Sequence, residues 1–225
     1  MPGTDSIRHP LTRTLLVLTA TTGVIDAASY LGLGRVFAAN MTGNIVLLGF
    51  GIAGSSGLPV IAPLVSLAAF LAGATIGGRM GARLAPKEAH LSQAMVIEIG
   101  VTVLATLIAI VFEITPDHFS GDLIIALLAF AMGVRNATVR RLKVADLTTT
   151  VLTMTLTGLA ADSPLAAGEG KGSWRRGAAV VSMLAGACAG ALLVNADLSL
   201  VLLAAALLAL VTWLVFMPAA ITAAE

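Results

Sequence analysis

The sequence contains few of the residues on which disulfide frameworks, redox sites and soluble surfaces depend. Its single cysteine, Cys188, excludes an internal disulfide and a cysteine metal centre. Charged residues make up only 11% of the 225 positions, against about 25% in typical soluble domains. No basic patch is interleaved with aromatic residues, so we do not expect nucleic acid to be a partner.

Recognisable catalytic motifs are also absent. His9, His90 and His118 fall in tails or loops and are far apart in the sequence. There is no HExxH, GxSxG, P-loop or Cys/His cluster, and the surroundings of Asp26 and Asp146 do not resemble an intramembrane aspartyl protease. We therefore expect neither an enzyme nor a bound cofactor or metal.

Apolar residues, in contrast, are abundant: they make up 58% of the chain, and the mean hydropathy is +0.98. This composition predicts an all-α polytopic membrane protein. Two apolar stretches, 41–54 and 147–160, are too short for an ordinary span. Six others are long enough to cross the hydrocarbon core as helices: 13–32, 60–80, 92–113, 120–139, 176–195 and 198–217.

The distribution of Lys and Arg indicates whether the two short stretches cross the membrane. If they do not cross, twelve of the thirteen Lys and Arg residues lie on the side of the N-terminus, and only Arg35 lies opposite. If both cross, the best division is eight against five of the thirteen. Because cytoplasmic loops carry the excess of Lys and Arg, the first arrangement is favoured. The sequence therefore predicts six transmembrane helices plus two short re-entrant or broken helices, with both termini in the cytoplasm.

The two halves of the chain resemble each other, which predicts a duplication. Residues 1–115 and 116–225 would each contain three spans and one short segment, 40–54 or 146–160, within one integral membrane domain. Since three is odd, the two repeats would be inverted relative to each other in the membrane. The alternative is chance similarity among small apolar residues. The matching pairs of stretches are 22–30 with 132–140, 38–46 with 144–152, and 71–78 with 184–191.

Each short segment begins with polar residues. The start of a helix has free N–H groups and the positive end of the helix dipole, and in inverted repeats the two starts could meet near the middle of the membrane. The alternative is that these residues are N-caps in ordinary loops. Asp26 and Asn136, which the repeat pairs, are also candidates. With these two, the candidate substrate-binding residues are Asn40, Thr42, Asn44, Asp146, Thr148 and Thr150.

Asp26 lies about thirteen residues into the first predicted span. A carboxylate at this depth is costly and usually faces a cavity or a partner, for which Arg35 and Arg135 are the candidates. We expect Asp26 to couple transport to protons; the alternative is a buried acid that only holds helices together. Glu98 and Arg135 lie near the ends of predicted spans, so we expect their side chains to extend to the membrane interface.

Small residues recur every fourth position in two helices that the repeat makes equivalent. Such stripes allow helices to pack closely. We expect them to pack within one chain, and a homodimer interface is the alternative. The residues of the two stripes are Gly73, Gly77 and Gly81 in the first half, and Ser182, Gly186 and Gly190 in the second.

Two stretches of the sequence resemble a known family. "TGVIDAASYLGLGRVFAANMTGN", residues 22–44, looks like the N-terminal signature of the YoaK-type family of bacterial multi-pass membrane proteins. "GVRNATVRRLKVADLTTTVLTMTLTGLAADS", residues 133–163, looks like its second signature. The resemblance covers essentially the whole chain and implies a protein of the bacterial inner membrane. It implies no substrate and no binding residue, because no activity of the family is established.

Taken together, these patterns predict a transporter of a small molecule or ion, with its substrate between two inverted repeats. Its partners would be the lipid bilayer and a substrate that the sequence does not identify. The alternative is a membrane scaffold or assembly protein that packs against others through its glycine stripes. A channel and an intramembrane enzyme are further alternatives.

Overall fold

The computed structural model describes residues 9–55, 57–83, 86–112, 114–115, 118–142 and 152–222. Over these residues every regular element is helical, and there is no strand. A single 3₁₀ turn, Pro164–Ala166, accompanies eight α-helices. The helices are α1 Pro10–Gly32, α2 Met41–Ile52, α3 Ile61–Arg83, α4 Lys87–Val111, α5 Phe119–Leu142, α6 Leu152–Ala161, α7 Ser173–Val194 and α8 Leu198–Thr222.

The helices fall into two classes of length. Six contain 22 to 25 residues and are apolar enough to cross a membrane. At 1.5 Å per residue they are about 33–38 Å long, which exceeds the hydrocarbon core of about 30 Å. The remaining two, α2 and α6, have 12 and 10 residues and reach only about half as far. The predicted fold class, an all-α membrane protein with six long helices and two short ones, is confirmed.

The helices α1 and α5 form the centre of the molecule. α1 packs against α7 and α8, α5 packs against α3 and α4, and α4 also contacts α8. Ile25, Leu128, Met132 and Leu202 belong to the buried apolar core between these helices. The short helices lie at the periphery, with α2 against α3 and α6 against α7. The position of α1 at the centre explains why polar groups near its end can line an internal site.

The predicted glycine stripes lie at contacts between helices of the same chain. A Cβ atom added to Gly73 would collide with the carbonyl oxygen of Phe130 in α5. One added to Gly77 would lie 2.8 Å from the carbonyl oxygen of Val134. Because any side chain there would force backbone apart, these glycines allow α3 and α5 to approach more closely than other residues could. Gly81 differs, since its neighbours are the side chains of His90 and Arg141.

The second stripe brings α7 against α1 in the same way. A Cβ atom at Gly186 would collide with the carbonyl oxygen of Ala20, and one at Gly190 would lie 2.9 Å from that of Val24. Gly23 contributes from the α1 side, where a Cβ atom would collide with the carbonyl oxygen of Met183. Both stripes are therefore occupied by helices of this chain.

The end of α1 is followed by a sharp turn of the chain. Gly34 and Arg35 have φ values of 107° and 58°, in the left-handed region that ends a helix. Gly34 adopts this conformation without steric cost, whereas Arg35 does so at some cost. The loop that follows leads to Asn40, the N-cap of α2.

Candidate functional site

The loop between α1 and α2 is held against α1 by two side chains of that helix. Asp26 lies six residues before the end of α1, about 9 Å along the helix axis. Its Oδ1 atom accepts a hydrogen bond of 2.8 Å from the backbone N–H of Ala39. One turn later, the hydroxyl of Ser29 accepts a bond of 3.1 Å from the N–H of Ala38. Ala38 and Ala39 are buried, and buried backbone N–H groups need such partners because an unpaired one costs free energy.

Asn44 binds the same loop from the side of α2. Its Oδ1 atom accepts from the N–H of Phe37 at 2.8 Å, and its Nδ2 donates to the carbonyl oxygen of Phe37 at 2.7 Å. The same amide donates to the hydroxyl of Ser66 on α3 at 3.0 Å. Asn44 is fully buried and lines neither of the cavities described below. Its side chain therefore fixes the fold of the loop.

Asn40 and Thr42 stand at the start of α2. The Oδ1 atom of Asn40 accepts from the N–H of Gly43 at 3.2 Å, which satisfies one of the free donors of the first turn. Thr42 is exposed. Both residues line a cavity next to Asp26, so Asn40 both caps the helix and faces this open space.

That cavity, the polar cavity, has a volume of about 570 Å³. Asp26, Asn40 and Thr42 line it from the first half of the chain. Leu152, Thr153 and Leu156 of α6 line it from the second half. The starts of the two short helices therefore meet at one cavity.

Thr153 was not among the residues predicted from the sequence. Its position in the sequence carried a usable signal, because it lies three residues after Thr150, a spacing that places two residues on one face of a helix. The polar groups predicted just before it, Asp146, Thr148 and Thr150, lie outside the described residues.

A second cavity, the apolar groove, lies between α1 and α7 and has a volume of about 370 Å³. Asp26, Tyr30, Phe37 and Met183 line both the groove and the polar cavity. The rings of Tyr30 and Phe37 are stacked, with centroids 4.8 Å apart and planes at 22°. Neither aromatic residue was predicted to belong to the site, and Asp26 lies where the two cavities adjoin.

Asn136, which the repeat pairs with Asp26, occupies a different environment. It is half-buried on α5, and its Nδ2 donates to the carbonyl oxygen of Met132 at 2.8 Å. It lines neither the polar cavity nor the apolar groove. The hydrogen bond of Asn136 to Met132 lies within α5. Residues 143–151, which follow α5, are outside the described part of the chain.

A buried ion pair lies near the site and corrects two expectations. Arg135 donates from Nη1 to Oε1 of Glu98 at 2.8 Å, and from Nη2 to the hydroxyl of Thr22. Both members of the pair are fully buried. The expectation that Glu98 and Arg135 extend to the membrane interface is therefore wrong. Arg135, one of the candidate partners of Asp26, makes its ion pair with Glu98.

The described residues contain no cluster of metal-ligating side chains. No three His, Cys, Asp or Glu side chains there are placed to hold an ion together. The groups that face the polar cavity are one carboxylate, one amide and three hydroxyls, those of Tyr30, Thr42 and Thr153. Such a set can bind a polar or charged solute by hydrogen bonds.

Comparison with known proteins identifies the family. The sequence profile of a family described as "Protein of unknown function (DUF1275)" matches residues 14–215. The "UPF0700 transmembrane protein YoaK" of Bacillus subtilis (strain 168) is 34% identical over 152 residues, an alignment that covers 66% of this chain and 65% of the relative's length. No solved structure matches the chain. The resemblance to YoaK-type membrane proteins is thereby confirmed. Because the profile extends over nearly the whole sequence, the chain belongs to the DUF1275 family.

Proposed function

We propose that this protein transports a small molecule or ion across the bacterial inner membrane and that the polar cavity holds its substrate. The observation that carries this proposal is that both halves of the chain line the cavity, through Asp26 and Asn40 on one side and Thr153 on the other. In many secondary transporters the substrate lies between two repeats, at the ends of interrupted helices. The starts of α2 and α6 provide such ends.

The packing of the helices supports two related halves, α1–α4 and α5–α8. The counterparts are α1 and α5, α2 and α6, α3 and α7, and α4 and α8. If each helix is exchanged for its counterpart, the contact of α1 with α7 becomes that of α5 with α3. In the same way, the contact of α1 with α8 becomes that of α5 with α4, and that of α2 with α3 becomes that of α6 with α7. This exchange supports a duplication. Because each half has three long helices, an odd number, the two halves would be inverted relative to each other.

The close contacts of individual glycines show the same correspondence between the two halves. Gly186 approaches the carbonyl oxygen of Ala20, and Gly73 approaches that of Phe130. Residues 20 and 130 are related by the 110-residue offset that also relates Gly23 to Gly133. Gly133 in turn approaches the carbonyl oxygen of Phe70, as Gly23 approaches that of Met183. These reciprocal contacts support a duplication over chance similarity among apolar residues.

Asp26 is the residue that we propose couples transport to protons. Ionisable residues within transmembrane helices commonly form proton relays in transporters. The carboxylate faces the polar cavity while one of its oxygens accepts from the N–H of Ala39. It can therefore exchange a proton or a substrate contact on the cavity side while it remains attached to the loop.

The test is flux through the purified full-length chain in liposomes that contain a pH-sensitive dye. Pools of amines, amino acids, organic acids and inorganic ions are added outside under an imposed pH gradient. We expect at least one pool to dissipate the gradient with saturable kinetics. Asp26→Asn should abolish this flux without loss of folding, because the Asn Oδ1 can still accept from Ala39. Asp197→Asn, which alters an exposed carboxylate between α7 and α8, is the matched control.

Unchanged flux in Asp26→Asn would remove the proton-coupling role from this residue. Flux that rises without saturation would identify a channel. A wild-type protein that is folded and dissipates the gradient with none of the pools would contradict proton-coupled transport; if it also takes up no radiolabelled solute from the pools, the transporter proposal is wrong.

The scaffold alternative has less support from the packing. A scaffold would present its glycine stripes to another protein, whereas Gly73, Gly77, Gly186 and Gly190 already face helices of the same chain. Leucine at Gly77 or Gly190 should therefore disturb folding and flux. Under the scaffold alternative it would instead separate a complex while leaving the single chain folded.

A further inference from the structure

We propose that the ligand of this site is an amphipathic organic cation, with its charge beside Asp26 and its apolar part in the groove between α1 and α7. This inference rests on the proposed function for the site itself and adds the chemical class of what it binds. It depends on three observations: the balance of charge, the aromatic pair and the shape of the two adjoining cavities.

The charges around the site favour a cation. Asp26 is the only ionisable acid or base that lines either cavity, apart from the weakly acidic phenol of Tyr30, in the described part of the chain. The nearby guanidinium of Arg135 is already bonded to Glu98, so the two opposite charges of that pair offset each other. Within the described part of the chain, the carboxylate of Asp26 thus remains as one negative charge without an ion-pair partner. Such a charge is costly at membrane depth, and a positive ligand would balance it.

The aromatic pair next to this carboxylate suits an organic cation. Tyr30 and Phe37 are stacked and line both cavities together with Asp26. Aromatic faces attract ammonium and related cations, most strongly where water is excluded. A carboxylate with two aromatic rings can therefore hold a cation whose charge is spread over a bulky group.

The apolar groove provides room for the rest of the ligand. Its walls include Gly23, which has no side chain, and Ala27, Ala187 and Ala191, whose side chains are single methyl groups. These residues leave a trough between α1 and α7. Leu31, at its margin, has 55% of its surface exposed, so the groove opens on the outer surface of the helices. A polar ion would make no use of such a groove. The volumes of about 570 and 370 Å³ also fit a ligand of drug size better than an inorganic ion.

Tetraphenylphosphonium and tetraphenylborate provide a sharp test, because the two ions have nearly the same shape and opposite charge. Binding of each radiolabelled ion to the full-length chain is measured by equilibrium dialysis in detergent, with empty micelles as the reference. We expect saturable binding of tetraphenylphosphonium and no saturable binding of tetraphenylborate. Asp26→Asn should weaken cation binding about tenfold or more, whereas Asp197→Asn should not.

Two further substitutions test the other parts of the site. Tyr30→Leu should weaken tetraphenylphosphonium binding more than Tyr30→Phe does, because only leucine removes the aromatic face. Ala191→Phe should fill the groove and weaken binding of this bulky cation while leaving that of tetramethylammonium less affected. The melting temperature of each variant is measured alongside, so that loss of binding is separated from loss of folding.

Equal binding of the two tetraphenyl ions, or unchanged cation binding in a folded Asp26→Asn variant, would overturn the inference. If tetraphenylphosphonium does not bind but another solute shows Asp26-dependent flux, the ligand class is wrong and the transporter proposal stands. If the cation binds through Asp26 but neither it nor any pool is transported, the ligand class stands and the transporter proposal is wrong.

Discussion

The α1–α2 loop depends on single side chains whose surroundings differ. Asp26 faces the polar cavity on one side. Asn44 is enclosed, and both its amide oxygen and its amide nitrogen are hydrogen-bonded to other protein groups. A residue of the first kind can act on a ligand without unfolding the loop. A residue of the second kind affects the site only through the stability of the loop.

Asn44→Ala should therefore be strongly destabilising. It leaves both the N–H and the carbonyl oxygen of Phe37 without the amide that bonds them, although Ser66 still donates to the carbonyl. We expect the free energy of unfolding to fall by about 2–3 kcal/mol, as measured by denaturant titration in mixed micelles. Ser66→Ala, which leaves both bonds between Asn44 and Phe37 in place, should cost only about 1 kcal/mol. Equal losses in the two variants would show that the Asn44 amide adds nothing beyond the contact with Ser66.

The buried pair of Glu98 and Arg135 gives a second prediction at this scale. Glu98→Gln should lower the free energy of unfolding by about 3–5 kcal/mol, because it leaves the Arg135 charge buried without its anion. The double variant Glu98→Gln/Arg135→Gln should lose less than the sum of the two single losses. Glu169→Gln is the control, since its ion pair with Lys171 is exposed and should be worth less than about 1 kcal/mol. Strict additivity in the double variant would contradict the coupling.

The sequence predicted some of these residues and not others, for physical reasons. Asp26 was recognisable because a carboxylate inside an apolar run is costly wherever the run lies. Glu98 was misplaced because its position near the end of an apolar run does not show which way its side chain points. In the structure α4 packs against α5, and the side chain of Glu98 points inward to Arg135. Hydropathy does not detect such a contact between two helices.

At the scale of elements, the short helices and the glycine stripes were predictable because both depend on local patterns. The meeting of α2 and α6 at one cavity was inferable only through the repeat. The participation of Tyr30, Phe37 and Met183 was not, because it depends on how α1 and α7 pack. Their packing in turn depends on the close approach of α1 and α7 at Gly23 and Gly186. The stripe predicted that Gly186 would contact a helix, but not that this helix would be α1.

The glycine stripe of α3 gives a prediction that compares two positions of one helix. Gly73→Ala should lower the free energy of unfolding by about 1–3 kcal/mol, because its Cβ would collide with the backbone of Phe130. Gly78→Ala should be neutral or slightly stabilising, because a Cβ there meets no atom within 4 Å and alanine favours the helix. Thermal unfolding of both variants in the same detergent measures the difference. Similar melting temperatures would mean that α3 and α5 do not pack as closely as described.

At the scale of the whole molecule, the proposed inverted repeats make a prediction about topology. In a Cys188→Ser background, single cysteines at the exposed positions Ser55 and Ala166 are labelled in intact cells with an impermeant maleimide. We expect Ser55→Cys to react from outside and Ala166→Cys to react only after the cells are permeabilised. Each short segment would then return to the side from which it enters. Equal labelling of both positions in intact cells would mean that the short segments cross and the halves are parallel.

The pairing of α1 with α7 has a consequence for biosynthesis. Gly32 ends α1 and Ser173 begins α7, so the 140 residues 33–172 separate the helix from its closely packed partner. At ordinary rates of translation this interval lasts on the order of ten seconds. During that time the face of α1 that carries Gly23 and Asp26 must be covered by lipid, by the insertion machinery or by helices already made. The chain therefore enters the membrane before the proposed binding site is assembled, and the groove between α1 and α7 forms only when α7 arrives.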